Sequence, residues 1–134
     1  MLTDYGYHKN DHGKWETDPE AAHVVKLIFQ MAIDGLSKGQ IRNRLFKLYQ
    51  PTPREYMQIK KGKDIDAKCI WRTGCISDML INEQYIGCYV AGKYSVTGVG
   101  SKRSVKNDKA EWIFIPDHHP PIICKDDFAR VQVL

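Results

Sequence analysis

The clearest pattern in the chain is a helical repeat of apolar residues between positions 21 and 36. They recur at intervals that place them on one face of an α-helix, and they are Ala21, Val25, Ile28, Phe29, Ala32, Ile33 and Leu36. Asp18, Pro19 and Glu20 precede this repeat and are typical of a helix start, with Asp18 as the cap. Gly35 suits the left-handed residue that follows a helix. The pattern predicts an amphipathic helix that begins after Asp18 and ends before Gly35.

A second helix is predicted directly after the first. Ser37 and Gln40 have the spacing of a capping box, and an apolar stripe follows, made of Ile41, Leu45, Leu48 and Tyr49. Pro51 and Pro53 would stop this helix. Two helices joined across residues 35–37 form a unit of helix-turn-helix size.

The next stretch, residues 51–68, is rich in lysine and has no clear period, which predicts a long loop. Thr73 would then cap a short third helix, with Trp71 packed over its start. The side chains predicted to face inward from this helix are Cys75, Ile76, Met79 and Leu80.

Strand patterns occupy both ends of the chain. Residues 5–17 predict a β-hairpin around the turn-rich residues 10–13. Residues 85–90 and 112–115 alternate with a period of two and predict two further strands. The glycine-rich and serine-rich residues 96–103 between them read as an exposed, flexible connection.

The chain closes with a turn at residues 118–121 and a helix from Lys125 to Leu134, in which Phe128 and Val131 would face inward. Together the elements predict an α+β fold, a helical and helix-turn-helix-like bundle with a small antiparallel β-sheet. With 134 residues, of which 43% are hydrophobic, the chain is expected to form one domain over residues 1–134.

Several protein classes are excluded by composition. No apolar run approaches the roughly 18 residues of a spanning helix, and the first ten residues carry no secretory signal. The four cysteines, Cys69, Cys75, Cys88 and Cys124, include no CxxC pair, which argues against a zinc ribbon. We therefore expect a cytosolic protein with free thiols that serve as packing residues.

The charges are strongly segregated, although the net charge is only +4. Residues 38–72 hold ten basic and three acidic side chains, and residues 93–109 hold five basic and one acidic. Two basic blocks in an otherwise slightly acidic chain favour a polyanionic partner such as nucleic acid. The alternative is two solvated loops whose lysines confer solubility.

A catalytic or metal site is not expected. The chain has no glycine-rich phosphate loop of standard spacing. His118, His119 and Cys124 lack a usual ligand spacing and are better explained as turn residues, while Asp126 and Asp127 suit a helix N-terminus. We accordingly predict no cofactor and no metal.

Nucleic-acid contacts are predicted from both basic blocks and the third helix. That helix could enter a major groove, where Arg72 would pair with guanine or phosphate, Ser77 with either, and Asp78 with a cytosine amine. Each of these residues could instead be a solvated helix end or loop. The predicted DNA contacts are Lys38, Arg42, Arg44, Lys47, Arg54, Lys60, Lys61, Lys63, Arg72, Thr73, Ser77, Lys93, Lys102, Arg103 and Lys106.

An ordered set of residues along nearly the whole chain resembles the middle "recombinase" domain of large serine recombinases. The matching positions are Tyr5-Gly6-Tyr7, Asp18-Pro19-Glu20-Ala21-Ala22, Val25, Ile28, Phe29, Gly35-Leu36-Ser37, Gln40-Ile41, Leu45, Pro51-Thr52-Pro53, Trp71, Ile76, Met79-Leu80, Asn82, Tyr85-Ile86-Gly87, Gly92-Lys93, Trp112, His119-Pro120, Ile122-Ile123, Phe128 and Val131-Gln132. The family often has a small hydroxyl residue after the tryptophan, whereas this chain has Arg72.

The resemblance implies a non-catalytic, DNA-gripping part of a larger enzyme. In that family a catalytic domain with the nucleophilic serine lies upstream, and a zinc-ribbon domain lies downstream. The chain would then be an excised fragment, with Met1 as an added start, from a bacterial or phage-encoded recombinase or transposase of a mobile element. Implied partners are double-stranded DNA, other domains of the same recombinase and further copies of the full-length protein, but no membrane.

Two functions follow as hypotheses. The first is sequence-specific binding of duplex DNA at attachment sites, which positions a separate catalytic domain for integration or excision. The alternative is a protein–protein interaction module, in which the first and last helices dock onto neighbouring domains. The DNA hypothesis requires that the basic residues gather on one side of the folded chain, beside an exposed helix.

Overall fold

A computed structural model describes residues 4–91, 94–96, 104–108, 110 and 112–133, with 94–96 and 104–106 described by their backbone. The α-helices are α1 (Pro19–Ile33), α2 (Lys38–Lys47), α3 (Pro53–Lys60), α4 (Thr73–Leu80) and α5 (Lys125–Gln132), and a 3-10 helix covers Glu83–Ile86. The strands are β1 (Tyr7–Lys9), β2 (Trp15–Thr17), β3 (Tyr89–Ala91), β4 (Tyr94–Val96), β5 (Ser104–Lys106) and β6 (Ile113–Ile115).

This order confirms the predicted α+β class. Within the described ranges the strands form three separate antiparallel pairs, β1–β2, β3–β6 and β4–β5, rather than one small sheet. The predicted hairpin at the start of the chain is the β1–β2 pair, in which Tyr7 lies opposite Thr17. The predicted connection over 96–103 lies, from residue 97 onward, outside the described residues.

Helix α1 begins directly after Asp18 and ends before Gly35, as predicted, but the predicted side-chain cap at its start is absent. Gly35 adopts a φ of +93°, and the N–H groups of Gly35 and Leu36 donate to the carbonyls of Ala32 and Met31, which is the Schellman ending of a helix. Asp18 occupies the N-cap position, but its side chain does not cap the helix. Its carboxylate instead accepts a hydrogen bond of 2.7 Å from the Tyr56 hydroxyl.

Helix α2 begins with the predicted capping box, since Ser37 and Gln40 exchange side-chain and backbone hydrogen bonds. Its predicted apolar stripe is only half correct. Ile41 and Leu45 are completely buried, whereas Leu48 is 45% and Tyr49 is 84% exposed. The reason is that the helix ends at Lys47, and Tyr49 turns the chain away with a left-handed φ of +54°.

The predicted loop over 51–68 is wrong in its first half, which forms α3. Pro53 occupies the first turn, and Thr52 and Glu55 form a second capping box. The sequence Thr-Pro-x-Glu carries this helix-start signal, but the helix has only eight residues and none of them is buried, so only two turns are present to show a repeat of apolar positions.

The strand predicted over 85–90 is also corrected. Residues 83–86 form a 3-10 helix, Gly87 turns the chain with a φ of +91°, and the strand begins only at Tyr89. A side chain at position 87 would place its Cβ 2.7 Å from the carbonyl oxygen of His119. The close approach of these two segments therefore requires glycine.

The core lies around α1, which packs against α2, α4 and α5. Its most deeply buried large side chains include Phe29, Ile28, Trp71 and Tyr85. Helix α5 closes this core as predicted, because Val131 is buried and Phe128 stacks on Phe29 with ring centroids 6.1 Å apart. None of the described helices has both the length and the apolar character needed to cross a bilayer.

Candidate nucleic-acid interface

Helix α4 has a largely exposed outer face whose first two turns carry only short side chains. Ile76, Met79 and Leu80 are buried on its inner side. At 100° per residue, the outer positions fall on one side of the helix, and they are Thr73, Gly74, Ser77, Asp78 and Ile81. Such a face, with no long side chain in its first two turns, permits close approach of another surface.

The start of α4 is anchored to the end of α2 by Trp71. The indole is 1% exposed and its Nε1–H donates a hydrogen bond of 2.9 Å to the carbonyl of Gln50. Tyr5 packs edge-on against the same indole at a centroid distance of 6.1 Å. Because this ring is held in the core, the position of the next residue, the exposed Arg72, is determined as well.

Glu55 ties the segment before α4 to the start of α3. Its carboxylate accepts the N–H groups of Lys68 at 2.7 Å and Cys69 at 3.2 Å. Desolvation is the largest single effect on this carboxyl and raises its pKa, but the hydrogen bonds from Thr52, Lys68 and Cys69 together outweigh it, so that the pKa of Glu55 lies below its usual value. The ionised carboxylate of Glu55 therefore holds the segment before α4 against the start of α3.

The predicted cap of α4 is wrong by one position. Arg72 is the N-cap residue, without a side-chain capping bond, and Thr73 is the first helical residue. The Ser77 hydroxyl donates a hydrogen bond of 3.0 Å to the carbonyl of Thr73. The Ser77 hydroxyl oxygen can still accept a hydrogen bond. Thr73 is exposed and Ser77 is half-buried.

The exposed face of α4 is bordered by basic residues on two sides. Lys38 at the start of α2 lines a groove with Ser77 and Ile81. On the other side, Arg72 lines a depression with Gly74 and Asp78, next to Pro53 at the start of α3. The fold thus brings the predicted contacts Lys38, Arg72, Thr73 and Ser77 to one surface.

Other basic residues of α2 divide between two sides of that helix. Lys38 and Arg42 are four residues apart and share the side that borders α4, whereas Arg44 and Lys47 lie on the opposite side. All four side chains are exposed. The requirement that every cation gathers on one side is therefore met by Lys38 and Arg42 but not by Arg44 and Lys47.

The basic residues of α3 lie apart from α4. Arg54 is exposed in the first turn. Lys60 and Lys61 border a separate groove with Tyr5 and Tyr56, and the Lys60 ammonium lies 5.6 Å from the centre of the Tyr56 ring. Lys63 follows in the exposed segment after the helix.

These nine cations are all exposed, and in the described part of the chain none of them forms an ion pair; they are Lys38, Arg42, Arg44, Lys47, Arg54, Lys60, Lys61, Lys63 and Arg72. By contrast, Lys68 pairs with Asp66 at 2.8 Å. Asp4, near Arg72, accepts hydrogen bonds from the side-chain amides of Asn82 and Gln84, which occupy its carboxylate. The cations are thus available to an external anion.

Of the second basic block, Lys93, Lys102 and Arg103 lie outside the described residues. Lys106 is on β5, opposite Tyr94 of β4. Two aromatic residues at the end of α2 are exposed: Phe46, which lies outside the predicted apolar stripe and is 53% exposed, and Tyr49, which that stripe predicts to be buried.

Cysteine and histidine residues have structural roles. Burial raises the pKa values of the Cys69, Cys75 and Cys88 thiols, as the prediction of packing thiols requires. Cys124 departs from that prediction because it is exposed, and its Sγ accepts the N–H of Asp127 at the start of α5. No cluster suited to a metal ion occurs among the described residues.

His119 is a buried turn residue with a specific bonding pattern. Its Nε2 lies 2.5 Å from the carbonyl of Gln84, and its Nδ1 lies 2.9 Å from Nδ1 of His118. Because a carbonyl can only accept, Nε2 of His119 donates, and its Nδ1 then accepts from His118. Desolvation lowers the pKa of His119, which favours this neutral ring.

Comparison with solved structures shows the same overall fold in much longer chains. One, described as a crystal structure of an LSR–DNA complex, has a TM-score of 0.56 and 18% identity over 99% of this chain and 32% of its own. Another, described as "Sequence Requirements of the Listeria innocua prophage attP site", has a TM-score of 0.57 and 21% identity over 97% of this chain and 40% of its own. This chain thus spans about a third to two-fifths of these two chains.

The sequence comparison covers most of the chain independently of the fold. The model of the family described as Recombinase matches residues 19–134, from the first turn of α1 through α5. That range includes α2, α3 and α4, and with them every described residue of the candidate interface. The chain therefore belongs to the Recombinase family.

Proposed function

We propose that this chain binds duplex DNA sequence-specifically at the attachment sites of a mobile element, and so positions a separate serine recombinase catalytic domain for integration or excision. The observation that carries the proposal is the exposed small-residue face of α4 between Lys38 and Arg72. An accessible helix face of this kind can enter the major groove, and cations on its flanks can contact the phosphates on either side.

Family membership and the descriptions of the two structural relatives support DNA as the partner. In this proposal α4 and α2 act as a helix-turn-helix-like pair. Arg72, Thr73, Ser77 and Asp78 lie at base edges, while Lys38 and Arg42 lie at phosphates. Neither comparison favours the alternative of a protein–protein interaction module.

The proposal assigns no strand cleavage to residues 1–134, which would form one DNA-binding domain. Catalysis would belong to an upstream domain with a nucleophilic serine, and a zinc-ribbon domain would follow downstream. The partners would be double-stranded DNA, those other domains and further copies of the full-length recombinase. The setting would be the cytoplasm of a bacterium, with the gene on a phage or transposon.

Fluorescence anisotropy with labelled duplex tests the proposal. The probes are the flanking sequences of the element that encodes the chain and an unrelated duplex of equal length and composition. We expect tighter binding to the flanking sequences and a steep loss of affinity as salt rises, because bound phosphates release counterions. Equal affinity for both duplexes would overturn sequence specificity, and no binding to either at low salt would overturn DNA binding.

A further inference from the structure

The end of α2 carries an apolar patch that the fold leaves open. We define the end patch as Phe46, Leu48 and Tyr49, which are 53%, 45% and 84% exposed. Within the described chain the Tyr49 hydroxyl has no hydrogen-bond partner and its ring contacts no other aromatic ring. Tyr49 therefore contributes little to the packing of the described fold, while Phe46 and Leu48 each leave about half of their surface open.

Tyr49 also occupies a backbone position that disfavours its side chain. Its φ is +54°, and its N–H donates to the carbonyl of Phe46 while that of Gln50 donates to Leu45. This is the left-handed residue of a Schellman ending, where glycine is the usual choice. A large aromatic residue in that conformation is strained. Folding alone gives no reason for tyrosine here, and a strained, exposed residue is a candidate for a functional contact.

The surroundings of the end patch indicate what covers it. Residues 35–54 contain five cations and no aspartate or glutamate, and those cations are Lys38, Arg42, Arg44, Lys47 and Arg54. Arg42 and Phe46 are four residues apart on one side of α2, and Lys47 lies next to Phe46. An apolar patch with only cationic charges in the neighbouring sequence, among them Arg42 and Lys47 beside Phe46, fits a partner that has both negative charges and apolar surfaces close together.

We propose that the end patch is a second contact with duplex DNA, in which the Tyr49 ring packs on sugar and base edges of a groove while the surrounding cations bind phosphates. This inference rests on the proposed function and extends it beyond α4. Apolar side chains at protein–DNA interfaces supply such contacts without neutralising phosphates. They add affinity that salt does not remove.

Replacing Tyr49 by glycine separates binding from folding, because the two effects have opposite signs. In Tyr49→Gly the left-handed strain is relieved, so we expect an unchanged or higher melting temperature. The same variant should bind a fluorescein-labelled random-sequence duplex at least about fivefold more weakly at low salt, since it loses the ring contact. The dependence of log Kd on log salt should keep its wild-type slope.

Two further variants make the test specific. Tyr49→Phe keeps the ring and should keep wild-type affinity. Ile113→Ala removes an exposed apolar side chain of β6, which is 60% exposed, and should also bind as the wild type does. Equal affinity of wild type and Tyr49→Gly, or equal losses in Tyr49→Phe and Tyr49→Gly, would overturn the inference.

The outcomes distinguish this inference from the proposed function on which it rests. If the wild-type chain binds no duplex at low salt, the proposed function fails. If it binds and Tyr49→Gly binds equally well, only the end patch fails as a contact. Vesicles of phosphatidylserine and phosphatidylcholine test the competing anionic surface, and Tyr49-dependent vesicle binding with unchanged duplex affinity would overturn the assignment to DNA.

Discussion

The Tyr56 hydroxyl donates a 2.7 Å hydrogen bond to the Asp18 carboxylate, which joins α3 to the start of α1 across 38 residues. Asp18 is 8% exposed, so this carboxylate is nearly removed from water. Burial and the adjacent Asp18 carboxylate raise the pKa of the Tyr56 hydroxyl, which therefore stays protonated as a donor. The bond fixes α3 in place even though the helix has no buried residue of its own.

Tyr56→Phe removes that donor and leaves the buried carboxylate of Asp18 without it. We expect the free energy of unfolding to fall by about 1.5 to 3 kcal/mol, the usual range for a hydrogen bond to a charged group. Urea denaturation measures this difference. Tyr49→Phe is the matched control, since its ring is 84% exposed and its stability should be unchanged; equal stability of Tyr56→Phe and wild type would contradict the assigned role.

Glu55→Gln tests the tie between α3 and the segment before α4. Because the pKa of Glu55 lies below 4.5 in the folded chain, its ionised form contributes stability that is fully present above about pH 4.5 and is lost as pH falls through the folded value. The melting temperature of Glu55→Gln should therefore be lower than that of the wild type at neutral pH. This difference should shrink as the solution is acidified.

The control for that experiment is Glu20→Gln, an exposed glutamate in the first turn of α1. It does not hold the segment before α4 and contributes only the small stabilisation of an acidic side chain in a first helical turn, so its pH profile should lie much closer to that of the wild type than the profile of Glu55→Gln does. If the melting temperatures of the wild type and Glu55→Gln differ by the same amount down to the lowest pH, the charge of Glu55 is not the cause of the difference.

His119→Gln tests the neutral histidine between the hairpin and the 3-10 helix. Its pKa is lowered by desolvation and by the neighbouring His118, against opposing effects of the Gln84 hydrogen bond and of Asp4. Below the usual pKa of 6.5, the residue at position 119 therefore binds more protons in the unfolded chain than in the folded chain. Stability due to the neutral ring is fully present above about pH 6.5 and is lost as pH falls through the lower folded value.

Thermal unfolding between neutral and mildly acidic pH measures this effect. The wild type should lose stability as the pH drops below that of free imidazole, whereas His119→Gln should be flatter over the same range. His23→Gln, at an exposed position of α1, should follow the wild type. Parallel curves for His119→Gln and the wild type would refute the role of the buried ring.

Arg42→Ala and Arg72→Ala test the two sides of the α4 surface. Both side chains are exposed, so folding should be intact in each variant. Arg42→Ala should weaken binding to all duplexes and reduce the salt slope by about one, as expected for a lost phosphate contact. Arg72→Ala should cost about 1 to 3 kcal/mol on the preferred sequence and less on an unrelated one, as expected for a lost base contact.

Lys26→Ala is the control for these two variants, because Lys26 is an exposed cation on α1 near α5 rather than α4. Its affinity and salt slope should match the wild type. If Arg42→Ala and Arg72→Ala keep wild-type affinity but change the oligomer size on gel filtration, an interaction surface replaces the DNA surface as the explanation.

Local sequence signals predicted much of the secondary structure because their physics acts within a few residues. The Ser37–Gln40 capping box and the left-handed Gly35 involve hydrogen bonds within one helical turn, and both occur as predicted. The same kind of signal is present at Thr52 and Glu55, but α3 has eight residues and none is buried, whereas the fifteen residues of α1 include eight that are buried and make its repeat easy to recognise. The strand predicted from residue 85 was wrong because Tyr85 is buried by the core and not by a sheet.

Sequence alone determined the helices α1 and α2, the initial hairpin, the α+β class and two concentrated blocks of basic residues. Tertiary packing decided where those cations lie. The hydrogen bonds of Trp71 and Glu55 hold Arg72 beside α3. Lys38 lines the same groove as Ser77, whereas Arg44 and Lys47 lie on another side of α2. Packing likewise exposed Tyr49, which the apolar pattern had assigned to the core. Helical periodicity specifies on which side of its own helix a side chain lies. Only contacts between distant segments specify which sides of different helices form one surface.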